Sequence, residues 1–324
     1  MPTGPATAIA NPNIAFIKYW GNQDDKLRLP SNASLSMNLA GLETVTTVMF
    51  DEATTEDQVI IGGEVQSGAA KERALLQLHR IRGMAGITAH VQMESHNNFP
   101  AGAGLASSAS AFAALTLAGT TAAGLSLSEP ELSALARLGS GSAARSIPGG
   151  FVEWRTGPTH ADSYAFSLAP PEHWALQDVV AVISQKHKAV GSTGGHTLAN
   201  TSPLQAARLA TVADRLAKCK TALLARDFPA LAEVAEADSN LMHAVMLTSH
   251  PPLFYWEPIT LAIMKAVRTW RAEGLPVCYT IDAGPNVHCL CLPEAAPEVE
   301  RRLRHNLDVT KIFVAGPGGP ARLA

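Results

Sequence analysis

The order of strand-like and helix-like segments predicts an α+β chain in two domains. Three observations carry that expectation. β-Branched and alternating runs are interleaved with segments of helical spacing in the first half. Two loops of small residues interrupt that half, each beside a helical segment. Past Asp162 the pattern changes to long helices followed by a strand, strand, helix, strand order. The 324 residues are enough for two cores of ordinary size, with a boundary expected near 172–178.

Thr7–Ile17 alternates weakly and reads as one strand entering a loop at Lys18-Tyr19-Trp20-Gly21. Thr44–Phe50 is a β-branched run and a strand; Gln58–Gly62 is a shorter one, stopped by Gly62-Gly63. Ala70–Gly83 places Leu75, Leu76, Leu78 and Ile81 on one stripe and reads as a helix, and Gly86–Ser95 alternates as a strand. Ala106–Ala123 has no charge, which predicts a helix buried on all sides. Ser128 with Glu131 forms a capping-type start for a helix to Leu138, and Phe151–Trp154 reads as the next strand. In the second half, Asp178–Ser184 predicts a buried strand. Helices are expected over Leu204–Arg226, Phe228–Met246, Pro258–Glu273 and Pro297–Asn306. Strands are expected over Pro276–Ile281, Val287–Leu292 and Lys311–Ala315.

A formal net charge of −3 and a pI near 6.4 argue against a large nucleic-acid footprint. The apolar stretches are too interrupted to span a bilayer, and Met1–Ala10 has no signal-peptide pattern, so a cytoplasmic location is expected. Cys219, Cys278, Cys289 and Cys291 form no C-x-x-C pair and read as buried thiols.

The chemistry is expected in loops. Pro100-Ala-Gly-Ala-Gly-Leu-Ala-Ser-Ser108 brings glycines 102 and 104 ahead of a helix. Free amides and the positive end of the helix dipole there suit an anion, and Ser107 and Ser108 add hydroxyls. It is neither a Walker loop nor a dinucleotide fingerprint. Gly139-Ser-Gly-Ser-Ala-Ala-Arg-Ser146 is a second such loop, in which Arg145 offers a planar fork for carboxylate or phosphate; taken alone, Arg145 also fits a surface position. Asp282 ends an apolar strand before Gly284-Pro285, where a turn former and a catalytic carboxylate are both open readings.

With I-K-Y-W-G at 17–21, N-N-F-P at 97–100, G-L-A-S-S-A at 104–109, G-S-G-S-A-x-R-S at 139–146, G-G-F-V-E-W at 149–154, G-S-T at 191–193, T-S-P at 201–203 and D-A-G-P-N at 282–286, the chain resembles the GHMP kinase superfamily. More narrowly it resembles the mevalonate diphosphate decarboxylase branch. The resemblance implies a two-domain GHMP kinase fold. A ribosomal-protein-S5-like ATP-binding domain would span 1–175 and a ferredoxin-like domain 176–324, with the active site in the cleft between them. It implies ATP and Mg²⁺, a small phosphorylated substrate, and a homodimer. It implies that Asp282 orients and deprotonates a C3 hydroxyl, that Lys18 stands beside it, and that Arg145 grips the substrate carboxylate. Tyr19, Asn22, Ser140, Gly141, Ser142, Ser192, Thr193 and His196 would bind substrate. Asn13, Gly102, Gly104, Leu105, Ala106, Ser107, Ser108 and Lys188 would bind the nucleotide, with Ser107 also at the metal. In such a site phosphoryl transfer needs positioning and charge neutralisation, and Asp282 would need proximity more than basicity. A kinase that stops after phosphorylating C3, and a non-catalytic binding protein, are the rival readings.

Three positions depart from the family pattern. Asn22 stands where diphosphate-using members usually have a lysine, Thr193 where some have an arginine, and Gly195-His196 where Gly-Met is usual. Losing one charge-assisted contact costs roughly 1.5–3 kcal/mol, or about 10- to 150-fold in affinity. The expectation is therefore mevalonate 5-phosphate, converted to isopentenyl phosphate. The alternative is mevalonate 5-diphosphate, converted to isopentenyl diphosphate, with Lys186, Lys188 or His196 supplying the missing charge.

Overall fold

A computed structural model describes residues 4–100, 106–184, 191–307 and 309–324. Its strands are β1 (Ala6–Ala10), β2 (Asn13–Ile17), β3 (Asn22–Asp24), β4 (Leu29–Pro30), β5 (Ser34–Asn38), β6 (Thr44–Asp51), β7 (Gln58–Ile61), β8 (Glu64–Val65), β9 (His90–Asn97), β10 (Phe151–Trp154), β11 (Ala165–Ala169), β12 (Gln177–Val182), β13 (Val277–Thr280), β14 (Val287–Cys291), β15 (Lys311–Ala315) and β16 (Arg322–Leu323). The helices are α1 (Gly68–Ala85), α2 (Ser107–Ala122), α3 (Glu129–Gly139), α4 (Ser192–Leu198), α5 (Gln205–Ala225), α6 (Phe228–Leu247), α7 (Pro258–Ala272) and α8 (Ala296–Leu307).

The first domain holds a sheet of order β16-β1-β6-β9-β7-β8, parallel only between β7 and β9, and a second of order β11-β10-β5-β2. Strand β6 alternates buried and half-buried positions along its whole length, as its β-branched run predicts. Helix α2 covers β1 and β6 and is buried through most of its circumference. Its hydroxyls bond back within the helix: Thr116 Oγ1 donates to Phe112 O at 2.6 Å and Thr120 Oγ1 to Thr116 O at 2.7 Å. That is how an uncharged but partly polar helix sits in an apolar interior. The capping box of α3 is present, with the Ser128 N–H donating to Glu131 at 2.8 Å.

The second domain is an antiparallel sheet of order β13-β14-β12-β15. Strand β12 divides its side chains by period two. Val179 and Ala181 join the core with α7 and α8, while Val180 and Val182 face the core shared with α5, α6 and the first domain. Cys289 and Cys291 lie together in the first of these cores, as alternation predicts, and all four thiols are free and buried.

Two expectations about the chain's course are corrected. The single strand over Thr7–Ile17 is two strands in two different sheets, because Pro12 has no N–H for a ladder and its carbonyl accepts from Leu39 N instead. The segment expected to stay in the second domain to residue 324 leaves it after Ala315. Gly318 exchanges backbone bonds with Asn38 and Gly150, and β16 pairs with β1. Among the described residues no helix is long and apolar enough to cross a membrane.

Candidate active site

Where the two domains meet, a cavity of about 340 Å³ is lined by the ends of β2, α2, α3 and β13 and by the start of α4. Strand β2 ends at Ile17 and delivers Lys18, Tyr19 and Trp20 to it. Lys18 is buried, and its Nζ lies 2.6 Å from Asp282 Oδ1, whose side chain is 32% exposed. Burial pulls the Lys18 ammonium below its ordinary value, against the raising influence of Asp282 and of Asp238. Burial disfavours the Asp282 carboxylate, but Lys18, His288 and Arg145 together hold it below the usual carboxylate range.

The backbone of Lys18 is held from both domains. Its N–H donates to Asp238 Oδ2 at 2.6 Å, and its carbonyl accepts from Arg208 Nη2 and Asn32 Nδ2, each at 2.8 Å. Asp238, completely buried, also accepts from Arg215 Nε at 2.7 Å. Helices α5 and α6 thus hold the backbone of a residue whose side chain faces the cleft. In the sequence these charged residues read only as positions within long helices; with no partner visible, nothing marked them.

Arg145 is buried in the turn Gly141–Ser146. Its Nε donates to Asn13 Oδ1 and Ser36 Oγ at 3.1 Å, and its Nη1 to Ser34 Oγ at 2.7 Å. Burial lowers it to about 10, opposed by Asp282 and Tyr19, so the guanidinium stays charged. Asn13, expected at the nucleotide, does not line the cleft. Its Nδ2 donates to Ser142 O and Ser146 Oγ, so it fixes the turn and Arg145 from behind.

Tyr19 packs edge-on to Trp154 at 4.6 Å and stacks on His196 at 4.0 Å. A Cβ on Gly141 would meet the Tyr19 ring at 2.5 Å, and one on Gly195 would meet the Trp20 ring at 2.5 Å, so both glycines are required by close approach. Ser140 and Ser142 line the cleft, and Ser140 Oγ lies 3.2 Å from Ser108 Oγ in the first turn of α2. Ala106 precedes α2 in a left-handed conformation, φ +50°, and no side chain caps the helix there. Ser107, Ser192 and Thr193 complete this wall. Gly102, Gly104, Leu105, Lys186 and Lys188 lie outside the described residues.

Two substrate-site expectations change. Asn22 does not line the cleft; its Oδ1 accepts from Tyr19 OH at 2.5 Å and its Nδ2 donates to Asp25. His196 lines the cleft but is no cation. It is buried between Tyr19 and Trp20, accepts from Gly21 N–H through Nδ1 at 3.0 Å, and is pushed down to about 3 by burial and by Arg28, Arg208 and Arg145. Sequence reading missed the charges that are there, Arg28 before β4 and Arg73 on α1. Neither carried a signal in the sequence: Arg28 stands two positions after Lys26, and Arg73 sits within Lys71-Glu72-Arg73. Among the described residues the cleft carries Lys18, Arg28, Arg73 and Arg145 against the single carboxylate Asp282, which suits a polyanionic ligand.

Residues 10–165 match the Diphosphomevalonate decarboxylase-like N-terminal domain, and residues 178–315 the Mevalonate 5-diphosphate decarboxylase C-terminal domain. Diphosphomevalonate decarboxylase of Candida albicans is 41% identical over 300 residues, covering 87% of this chain and 82% of its own. Phosphomevalonate decarboxylase of Haloferax volcanii is 35% identical over 320 residues, covering 98% and 97%. A solved structure of MDDEF in complex with MVAPP, AMPPCP and magnesium superposes with a TM-score of 0.94 at 38% identity, covering 99% of both chains. Likeness on this scale, through both domains, means that the chain belongs to the diphosphomevalonate decarboxylase family of the GHMP kinase superfamily and is an ATP-dependent decarboxylase.

Proposed function

We propose that the chain decarboxylates mevalonate 5-diphosphate, with the first domain binding ATP and residues 176–315 closing the far side of the cleft. The carrying observation is the Lys18–Asp282 pair, 2.6 Å apart, in a cleft shared with the buried Arg145. Asp282 takes the proton of the C3 hydroxyl as that oxygen is phosphorylated. Its depressed pKa makes it a weak base, so its contribution is placement, and the proton leaves the oxygen as the new P–O bond forms. Lys18 neutralises charge at the same oxygen. Arg145 holds the C1 carboxylate. Loss of the C3 phosphate then draws the C1–C2 bonding electrons into the new double bond, releasing carbon dioxide and phosphate and leaving isopentenyl diphosphate and ADP.

The uncapped start of α2, with Ala106, Ser107 and Ser108, suits the ATP phosphates. The donor set fits Mg²⁺, which supplies charge neutralisation between phosphates when bound. No cluster of three His, Cys, Asp or Glu exists among the described residues, so the ion would take the Ser107 hydroxyl, phosphate oxygens and water. The MDDEF complex with an ATP analogue and magnesium supports this reading.

The expectation of mevalonate 5-phosphate rested on a pocket one cation short at Asn22. Arg28 and Arg73 make up that charge, and most of the close relatives carry the diphosphate name. The monophosphate stays as the second reading because Asn22 is neutral and the Haloferax relative, of nearly equal length, is a phosphomevalonate decarboxylase. The test is ADP and carbon dioxide release with each substrate in turn. Equimolar release with a higher kcat/KM for the diphosphate is expected. A higher value for the monophosphate reverses the substrate assignment, and ADP without carbon dioxide makes the protein a kinase.

A further inference from the structure

Among the described residues four cationic side chains line the cleft, and Lys18 alone of them is ion-paired to a carboxylate there. Arg145 is braced by Asn13, Ser34 and Ser36. That leaves Arg28 and Arg73. Arg28 lies between β3 and β4, and the segment around it is clamped onto the end of α3 by two reciprocal bonds. Arg28 Nε donates to Leu138 O at 3.1 Å, and Arg137 Nε donates to Leu27 O at 3.1 Å. The clamp uses only Nε of Arg28; neither Nη makes a hydrogen bond or ion pair to a described residue. The backbone there is left-handed, φ +49°, a conformation that disfavours a side chain. Two of the three non-glycine residues with positive φ among the described residues, Arg28 and Ala106, line this cleft. Arg73 lies over the Phe112 ring at 5.2 Å, and burial followed by the charge of Arg28 pulls it below its ordinary value. Two guanidiniums whose charges act on each other, neither ion-paired to a described residue, form a site that an anion completes.

We propose that Arg28 is the specificity-determining residue for the 5-phosphoryl end of the substrate, gripping it through both Nη groups with Arg73 as the second cation. The identity of the ligand rests on the decarboxylase reading; the anion site stands without it. A planar fork with two parallel donors suits a phosphoryl group better than a point charge does. The neutral residue at Asn22 is then explained: its amide is spent orienting Tyr19, and the charge enters from six positions further along the same hairpin.

The test compares Arg28→Gln, which keeps a donor and loses the charge, with Arg28→Lys, which keeps the charge. Binding of mevalonate 5-diphosphate and of mevalonate 5-phosphate to the full chain is measured by calorimetry without ATP, followed by steady-state kinetics and thermal unfolding. Arg28→Gln is expected to weaken binding of the preferred substrate by about 10- to 150-fold, in KM rather than kcat, and to flatten its salt dependence. Arg28→Lys is expected to recover only part of that loss, because it restores the charge but not the two-donor fork. Unchanged affinity in folded Arg28→Gln overturns the proposal. Equal loss in both variants also overturns it, because the clamp on Leu138 rather than the charge would then be what matters. Failure of the wild-type chain to release carbon dioxide sinks the decarboxylase reading instead, and leaves the calorimetric result to judge Arg28.

Discussion

The cleft holds two kinds of positive charge. At the reacting end, Lys18 is buried, paired with Asp282 at 2.6 Å and fixed by its backbone to Asp238. At the hairpin end, Arg28 and Arg73 are more open, have no ion pair to a described residue, and are held by a backbone carbonyl and an aromatic ring. A compensated charge in a dry setting is fixed in place and tuned by its partner, which serves chemistry. An uncompensated charge near water has little to hold it until an anion arrives, which serves binding. The reacting end should therefore fail in kcat or in folding, and the hairpin end in KM.

The largest expected effect lies at the reacting end. Asp282→Asn removes the only carboxylate lining the cleft among the described residues, and carbon dioxide release should fall by about 10²–10⁴-fold in kcat with little change in KM. A comparable rise in KM instead would put Asp282 with the binding groups. Next comes Asp238→Asn, which leaves Arg215 and Arg208 buried without their carboxylate. A loss of about 3–5 kcal/mol in unfolding free energy is expected from denaturant titration, with a fall in kcat because the Lys18 N–H loses its strongest acceptor. Wild-type stability with wild-type kcat would show that the loop holds Lys18 unaided.

The third effect is a dependence on pH. His196 and His243 are both pushed from 6.5 to about 3, His196 by burial and neighbouring arginines, His243 by burial and Lys18. Their folded values lie below the unfolded one, so between those limits the unfolded chain binds more protons. Stability is complete above about pH 6.5 and falls as pH drops toward 3, by up to about 1.4 kcal/mol per pH unit for each histidine. His196→Gln should make that decline shallower in urea titrations across the same range. An unchanged slope would mean that His196 is protonated in the native state, and would return it to the cations of the cleft.

Much of the site was legible because loop chemistry is local. The small residues of Gly139–Ser146 marked a loop that can approach an anion, the capping pair Ser128 and Glu131 announced α3, and Asp282 stood at the end of an apolar strand before a sharp turn. The buried helix α2 followed from a segment without charges. What stayed hidden depended on partners distant in sequence. His196 read as a candidate cation until two aromatic rings closed around it. Asp238, Arg208 and Arg215 read as ordinary helix positions until they met the Lys18 backbone.

By itself, then, the sequence determined which segments alternate or spiral, which loops can approach an anion, and which family the chain resembles. These follow from side-chain period, backbone freedom and motif, all properties of neighbouring residues. The tertiary structure alone decided that Pro12 parts two sheets, that the tail beyond Ala315 returns to β1, and which arginines face the cleft. A charge has no role until its partner and its solvent exposure are set, and both are set by residues that the fold brings from elsewhere.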